Sequence, residues 1–257
     1  MNLGLQNKIA VITREAKEIG TATALGSGNE GGPLVNIDCD EAATESSRND
    51  FNQLNTPCNI FVIDLSEPSI FLDVIEAIVT KFGCLEALVI NAEINYGVEF
   101  KYGTHALFFT FFRFNLLHYY ATACAVLQYL ARTNRATSTF RRVWRFQDKW
   151  ILRLRCVTEH SPGVCNELGR EVVTLCNSSN AVIPAVVATP QFEESSSTGR
   201  NSDDFLRAAP NAPLEHLYTE VDKVASTAQL LLSPATNVRG QFAYVHGGYG
   251  RIDRNQT

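Results

Sequence analysis

The first ninety residues repeat one pattern, a short apolar run suited to a buried strand followed by a segment suited to a helix. The apolar runs are KIAVIT, PLVNID, NIFVID and LEALVIN. Runs that are apolar at nearly every position are typical of strands in a parallel sheet covered by helices. Between the third and fourth runs, SEPSIFLDVIEAIVTKFG has apolar residues at helical spacing and should end as a helix at Gly83. The sequence therefore predicts an α/β fold with a doubly wound parallel sheet.

Length and charge narrow the class of protein further. A chain of 257 residues suits one α/β domain, so we expect residues 1–257 to form a single Rossmann-like domain. The net charge of −5 argues against a general affinity for nucleic acid or anionic membranes. We therefore expect neither kind of partner.

A long apolar stretch, ALFFTFFRFNLLHYYATACAVLQYL, runs from Ala106 to Leu130. Its length alone would allow a membrane span. Arg113, Asn115 and His118 lie in its middle, which favours a buried helix or a subunit contact instead. Within that helix we expect His118 to pack against its aromatic neighbours rather than to act as a catalytic group.

The cysteines and histidines give no sign of a metal site or a disulfide framework. Seven cysteines occur singly, an odd number without a CxxC pair, and the five histidines have no ligand spacing. This pattern is typical of reduced thiols in a cytoplasmic protein, and the N-terminus does not have the features of a signal peptide. We predict a cytoplasmic location and no metal.

The stretch IAVITREAKEIGTATA has the layout of a strand, a turn and a helix that bind a dinucleotide. In such turns a phosphate lies against backbone N–H groups at the helix N-terminus, and glycines let the chain approach it closely. Here the turn resembles the TGxxxGxG motif of the short-chain dehydrogenase/reductase family. Thr13 and Gly20 match that motif, whereas Arg14 and Glu18 stand where the family has glycines.

Further along the chain, more segments resemble the same family in the same order. Its NNAG motif appears as INAE, and NLLHYY places Asn115 where the family has a helix asparagine that orders a water in the proton relay. NAVIPAVVATP resembles the segment that contacts the nicotinamide, and RGQFAYVHGGYGRIDR resembles the last strand, with His246 in place of the usual aspartate. Within the family, the matches are most similar to the L-fucose dehydrogenase group. They cover roughly residues 3–131 and 177–254.

The resemblance implies a set of cofactor-binding positions and one catalytic position, Asn115. The cofactor-binding residues are Thr13, Ile19, Gly20, Asp38, Asp64, Leu65, Asn91, Ala92, Pro184 and Thr189. A carboxylate at Asp38 can accept hydrogen bonds from the adenosine ribose and would repel the extra phosphate of NADP, which favours NAD. Asp38 and Asp64 can equally be read as solvated residues at strand ends.

The family's proton-transfer residues are missing from this sequence. The chemistry needs a tyrosine and, four residues later, a lysine that lowers the pKa of its phenol. No YxxxK motif occurs in the chain. The tyrosine would be expected near Leu154 and the lysine near Thr158, and neither residue type is found there. The resemblance thus implies an oxidoreductase, ancestrally NAD(P)-dependent and acting on a hydroxyl of an alcohol or a sugar such as L-fucose, that is impaired or a pseudoenzyme. The alternative is a non-catalytic Rossmann-fold protein. Either would be a homo-oligomer, a tetramer or dimer.

Residues 132–176 differ in composition from their flanks, because RTNRATSTFRRVWRFQDKWILRLR contains seven arginines and both tryptophans. Small reading-frame shifts could restore family-like segments there. In other frames, codons permitted for residues 137–142 can encode Val-Asn-Ile-Ser-Ser, which resembles the family's strand before its catalytic serine, and those for residues 152–156 can encode Ser-Gly-Tyr-Ala-Ala, which resembles its tyrosine region. The segment can also be read as a basic, aromatic interaction surface or as a solvated surface segment. The Ser-rich segment at 191–215 is predicted to be a mobile loop.

Overall fold

The computed structural model describes a set of segments that contain a parallel sheet and the helices that pack on it. They are residues 2–14, 18–53, 57–64, 68–92, 103–130, 137–141, 178–184, 187, 219–233, 238 and 240–247. Within them, seven parallel strands form one sheet in the order β3-β2-β1-β4-β5-β6-β7. The strands are β1 (Ala10–Thr13), β2 (Leu34–Asp38), β3 (Cys58–Val62), β4 (Ala87–Ile90), β5 (Thr137–Arg141), β6 (Ser178–Pro184) and β7 (Phe242–Val245).

Helices connect and cover these strands. They are α1 (Ile19–Asn29), α2 (Glu41–Gln53), α3 (Pro68–Phe82), α4 (His105–Phe112), a π turn (Arg113–Leu117), α5 (His118–Leu130) and α6 (Val221–Leu232). The alternation of parallel strands with helices confirms the doubly wound α/β sheet that the sequence predicts.

The core lies on both faces of the sheet, because alternate side chains of each strand point to opposite faces. On one face, Val11 and Leu88 belong to an apolar cluster that also contains Ile75 and Val126 of α3 and α5. On the other face, Ile12 and its neighbours form a second cluster. Strands β1, β2 and β4 are buried along their whole length, which explains why their sequences are mostly apolar.

The strand order reverses beside β1. The chain moves from β1 outward to β2 and β3, then returns to place β4 on the other side of β1. Ligands of open α/β sheets bind at such a reversal, outside the carboxyl ends of the strands. The ends of β1 and β4, at Thr13 and Ile90, therefore mark the edge at which a site is expected.

Helix α3 follows its sequence prediction closely. It begins at Pro68 and ends at Phe82, and Gly83 follows with φ +81°. The amide of Gly83 donates to the carbonyl of Val79, which closes the last turn. A left-handed residue after the last helical one is the usual place for glycine, because it has no Cβ to clash.

Two features of the structure differ from what residue preferences alone would predict: a strand within the basic segment, and a threonine beside α6 that does not cap it. Strand β5 lies inside the basic segment, where the sequence gives no strand signal, and it pairs with β4 and β6. Thr219 is not the cap of α6: Glu220 occupies that position, and Thr219 pairs with Val187 and donates its hydroxyl to the carbonyl of Val245. The backbone bonds of a strand bridge thus take precedence over the capping preference of threonine. The loop predicted at 191–215 lies outside the described residues.

The long apolar stretch forms a helical region interrupted by one wider turn. Helix α4 passes into the π turn at Arg113 and continues as α5 from His118. Thr104 caps α4 by accepting a hydrogen bond from the amide of Leu107. Among the helices of the described ranges, none combines the length and apolarity needed to cross a bilayer.

Helix α6 ties the end of the chain to its beginning. Gln229 donates through Nε2 to the carbonyl of Ala22 in α1, and the Ser233 hydroxyl donates to the carbonyl of Leu3. Ile19, at the start of α1, packs in an apolar cluster with β6 and α6. The first helix of the chain is thus covered by the last one.

Candidate cofactor site

A buried threonine joins the carboxyl ends of β1 and β4. Thr13 is completely buried, and its Oγ1 accepts hydrogen bonds from the backbone amides of Asn91 at 2.9 Å and Ala92 at 3.2 Å. In return, the side-chain amide of Asn91 donates to the carbonyl of Arg14 at 2.9 Å. We call these three bonds the Thr13–Asn91 clamp. It fixes the start of the turn after β1 to the end of β4.

The turn between β1 and α1 keeps a backbone shape that normally requires glycine. Arg14 has φ +49°, and Glu18 has φ +59° and ψ −118°. The angles of Glu18 are close to those of the first central residue of a type II′ turn, a position dominated by glycine. Both residues stand where the sequence motif would have glycine. The turn therefore has the backbone shape of a dinucleotide-binding turn, although the side chains of Arg14 and Glu18 disfavour these angles.

The first turn of α1 presents backbone amides toward the same edge. Ile19 and Gly20 are buried there, and Glu18, the N-cap, accepts from the amide of Ala22 through its carbonyl but makes no side-chain cap. The first amides of a helix have no intrahelical acceptor, and the helix dipole makes this end favourable for anions. The α1 N-terminus thus offers donors to a phosphate, although the Glu18 carboxylate places negative charge nearby.

Charged groups collect where β1, β2 and β3 end. Asp38, the last residue of β2, is 3% exposed, and its Oδ1 accepts from the amide of Asp40. Burial raises the pKa of the neighbouring Cys39 thiol, the carboxylates of Asp38 and Asp64 raise it further, and Arg14 acts in the opposite direction. The charges of Asp38, Asp64 and Arg14 thus all act on the Cys39 thiol, although these residues come from three different segments of the chain.

Asn115 lies in the middle of the π turn and is 2% exposed. The turn is defined by a hydrogen bond from the amide of His118 to the carbonyl of Arg113, five residues earlier. Wide turns of this kind are frequent at functional sites. The sequence placed Asn115 on a helix, but the change of helical spacing around it was not predicted.

His118 follows the π turn and is also buried. Its ring packs edge-on against the ring of Tyr119, with centroids 4.3 Å apart, which confirms the expected aromatic packing. Burial lowers the pKa of His118 to about 3, although the carbonyl oxygens of Ala92 and Phe114 favour protonation. The imidazole is therefore neutral at neutral pH.

The remaining predicted residues divide between described and undescribed parts of the chain. Pro184 ends β6, is buried, and lies opposite Val245 of β7. Leu65 and Thr189 lie outside the described residues, as do Leu154 and Thr158. The structure thus brings Thr13, Asn91 and Ala92 into direct contact. It leaves the remaining assignments as predictions.

Sequence reasoning did not single out Cys39 or the left-handed conformation of the turn. Cys39 follows Asp38 directly, and that adjacency was the signal that could have placed it in the charged group. For Arg14 and Glu18, only alignment with the family's glycines pointed to an unusual backbone, because neither residue type favours positive φ.

Comparison with known proteins identifies relatives across the whole chain. The sequence profile of the family described as short chain dehydrogenase matches residues 8–137. The chain is 24% identical over 252 residues to the (2S)-[(R)-hydroxy(phenyl)methyl]succinyl-CoA dehydrogenase subunit BbsD of Thauera aromatica. That alignment covers 96% of this chain and 98% of the relative.

Solved structures share the same fold. The crystal structure of Cj0485 dehydrogenase has a TM-score of 0.90 and 25% identity, over 100% of this chain and 99% of that one. Carveol dehydrogenase from Mycobacterium avium, solved in complex with NAD, has a TM-score of 0.88 and 16% identity, over 96% of this chain and 99% of that one.

Proposed function

Because the chain belongs to the short-chain dehydrogenase family, we propose that it binds a nicotinamide dinucleotide, NAD in preference to NADP, at the carboxyl ends of β1, β2 and β4. The family supports a nicotinamide cofactor, and carveol dehydrogenase, which has the same fold, was solved with NAD. In this chain the pyrophosphate would lie at the α1 N-terminus, near Ile19 and Gly20. The adenosine ribose would lie near Asp38, and the adenine near Asp64 and Leu65.

The observation that carries this proposal is the backbone of the turn after β1. Arg14 and Glu18 hold positive φ angles, although neither side chain favours them. Such a conformation costs energy and persists only where the surrounding structure imposes it. The Thr13–Asn91 clamp supplies that constraint, so the turn remains shaped for close approach of a phosphate.

The preference for NAD follows from charge at the end of β2. Asp38 lies at the strand end where family members contact the ribose, and Asp64 adds a second carboxylate close by. A 2′-phosphate placed there would meet both charges. Among the described residues, Arg14 is the cation that acts on Cys39, and it offsets this repulsion only in part.

Oxidation of a hydroxyl, which is the family's chemistry, is expected to be absent or very slow. When bound, the cofactor would accept a hydride, but a proton must also leave the hydroxyl. The chain has no YxxxK motif to take that proton, and Asn115 alone cannot replace a titratable base. We propose that the substrate class is an alcohol or a sugar such as L-fucose, as the sequence resemblance implies.

Calorimetric titration of the purified chain with NAD and with NADP tests the cofactor proposal. We expect NAD to bind at least about tenfold more tightly than NADP, which corresponds to about 1.4 kcal/mol. Asp38→Asn should narrow this difference, and Asp50→Asn on the exposed side of α2 serves as the matched control. Absence of binding by either nucleotide in the folded protein would refute the proposal.

A turnover assay separates the catalytic from the non-catalytic interpretation. L-fucose, other sugars and simple alcohols are incubated with NAD, and NADH formation is followed by absorbance. We expect no measurable NADH above the rate without protein. Steady oxidation of any of these substrates would overturn the interpretation that the enzyme is impaired. If neither nucleotide binds and no NADH forms, the second candidate is favoured, a non-catalytic protein that acts through binding.

An exposed aromatic face supports a homo-oligomer as the working form. The side chains of Phe109, Phe112, Leu117 and Tyr120 are all exposed along α4, the π turn and α5. Exposed apolar groups that lie together often mark protein contacts. Phe109→Glu should reduce the mass measured by analytical ultracentrifugation to that of a monomer. Leu72→Glu, at an exposed apolar position on α3, should leave it unchanged.

A further inference from the structure

Two residues, Cys39 and Asp40, connect β2 to α2, and the proposed function gives Asp40 no role. Asp40 comes directly before α2, and its Oδ1 accepts a hydrogen bond from the backbone amide of Ala43 at 3.0 Å. This is the bond of a helix N-cap, which satisfies one of the first helical amides. The Asp40 carbonyl accepts from the amide and the hydroxyl of Thr44, at 3.0 and 2.9 Å. The side chain and the carbonyl of Asp40 are thus both fixed to the first turn of α2.

The backbone amide of Asp40 holds the carboxylate of Asp38. It donates to Asp38 Oδ1 at 3.0 Å. An aspartate that accepts the amide two residues later forms an Asx turn, which limits the torsions of the aspartate side chain. The backbone of Asp38 is held as well, because its carbonyl accepts from the amide of Ile63, directly after β3, at 2.9 Å. The Asp38 carboxylate therefore has a set direction at the end of β2.

Asp38 lies where water does not readily replace a lost donor. It is buried, whereas Asp40 is partly exposed. A buried carboxylate that loses a hydrogen-bond donor must turn toward another donor or toward solvent, because leaving it unpaired costs free energy. If the start of α2 moved, the amide of Asp40 would move with it. The direction of the Asp38 carboxylate therefore depends on the capping of α2.

We propose that Asp40 is a positioning residue for the choice of cofactor. By capping α2 it holds its own amide against Asp38 Oδ1, and this fixes the Asp38 carboxylate so that it accepts the ribose hydroxyls of NAD and repels the 2′-phosphate of NADP. The inference rests on the proposed function, because the choice requires that the adenosine ribose lie at Asp38. The hold on the carboxylate is a property of the chain without ligand.

Calorimetric titration with NAD and NADP compares Asp40→Ala, which removes the cap, with Asp40→Asn, which keeps a capping oxygen and removes the charge. In the alanine variant we expect the preference for NAD, the ratio of the two dissociation constants, to fall at least about fivefold, because the start of α2 is no longer fixed. In the asparagine variant it should stay within about twofold of the original. Asp40→Gly removes the capping oxygen at little cost to the helix, so it should match the alanine variant and replaces it should that variant not fold.

Thr104→Ala is the matched control, because Thr104 caps α4 through the same kind of bond, to the amide of Leu107. It should lower the melting temperature about as much as Asp40→Ala and leave the preference for NAD unchanged. An equal fall of the preference in Thr104→Ala would overturn the proposal, since any lost helix cap would then have this effect. An equal fall in Asp40→Asn would also overturn it, because the charge of Asp40 would then select the cofactor. An unchanged preference in the alanine and glycine variants would do the same.

The hold on Asp38 is measured without nucleotide by NMR of aspartate-labelled protein. The Asp38 carboxyl carbon signal is assigned through its loss in Asp38→Asn, and exchange of the amide at position 40 is followed in parallel. In Asp40→Ala and Asp40→Gly we expect the carboxyl signal to shift and the exchange to rise about tenfold. If neither changes, the proposal is wrong. If neither nucleotide binds the original chain while both NMR readouts change as expected, the proposed function is refuted and the hold on Asp38 stands.

Discussion

The turn after β1 and the π turn before α5 both depart from regular backbone geometry. In the π turn, the residues suit the departure: Asn115 and His118 are buried, and the His118 amide completes the wide hydrogen bond. In the turn after β1, the residues are unfavourable for the backbone conformation, because Arg14 and Glu18 hold positive φ angles that glycine would hold without strain.

The difference shows that a backbone shape can be kept by its surroundings after its own sequence has stopped favouring it. The turn after β1 is held at one end by the Thr13–Asn91 clamp and at the other by the buried start of α1. The π turn carries its own supporting residues. Changes to the clamp should therefore affect the first turn strongly, whereas changes within the first turn should relieve strain.

The largest effect is expected for Thr13→Val. This change removes the acceptor of two backbone amides, those of Asn91 and Ala92, at a completely buried position. Leaving two buried donors unpaired should lower the free energy of unfolding by about 3 kcal/mol. Urea unfolding measures this, and Thr13→Ser, which keeps the hydroxyl, should lose less than half as much. Equal losses in the two variants would show that the clamp is not responsible.

The second effect is the pH dependence that His118 gives to stability. The pKa of His118 is about 3 in the folded protein, and its ordinary value of 6.5 applies in the unfolded chain. Below pH 6.5 the unfolded chain therefore takes up a proton that the folded chain does not. This contribution is fully present above pH 6.5 and falls by about 1.4 kcal/mol per pH unit toward pH 3.

Urea unfolding of the original chain and of His118→Gln between pH 7 and pH 4 measures that contribution. As the pH falls, the original chain should lose stability relative to His118→Gln, because only the original chain carries this histidine. Burial and two backbone carbonyls account for the pKa, with no charged side chain among its causes. Parallel curves would contradict the assigned protonation state.

The smallest effect, and the one of opposite sign, is expected for Glu18→Gly. Removing the side chain from a residue at φ +59° should raise the free energy of unfolding by about 1 kcal/mol. It should also tighten NAD binding, because a negative charge leaves the helix N-terminus. Glu18→Gln is the matched control, since it removes the charge but keeps the strained Cβ. It should tighten binding without stabilising the fold.

The parts of the fold that follow from the sequence are those in which local pattern and tertiary environment agree. Strands β1, β2 and β4 are buried along their length and β3 is partly buried, so their mostly apolar runs were readable, and Gly83 ended α3 because a left-handed residue was needed there. Strand β5 was not readable, since TSTFR lies in a basic segment and becomes a strand by pairing with β4 and β6.

The candidate site was predictable where single residues carry the signal. Thr13, Asn91 and Asn115 were identified from motifs, but their contacts depend on the ends of β1 and β4 meeting, which only the sheet order provides. The π turn had no sequence signal, because a change of helical spacing by one residue leaves an apolar pattern nearly unaltered.

The contacts between α6 and the start of the chain also determine when the protein can complete its fold during synthesis. Helix α1 buries Ile19 against β6 and α6, and Gln229 reaches the carbonyl of Ala22. These partners lie about two hundred residues downstream, so the ribosome must finish nearly the whole chain before α1 is covered. Until then the first βαβ unit exposes an apolar surface, and a nascent chain truncated before residue 221 should be bound by chaperones and prone to aggregation.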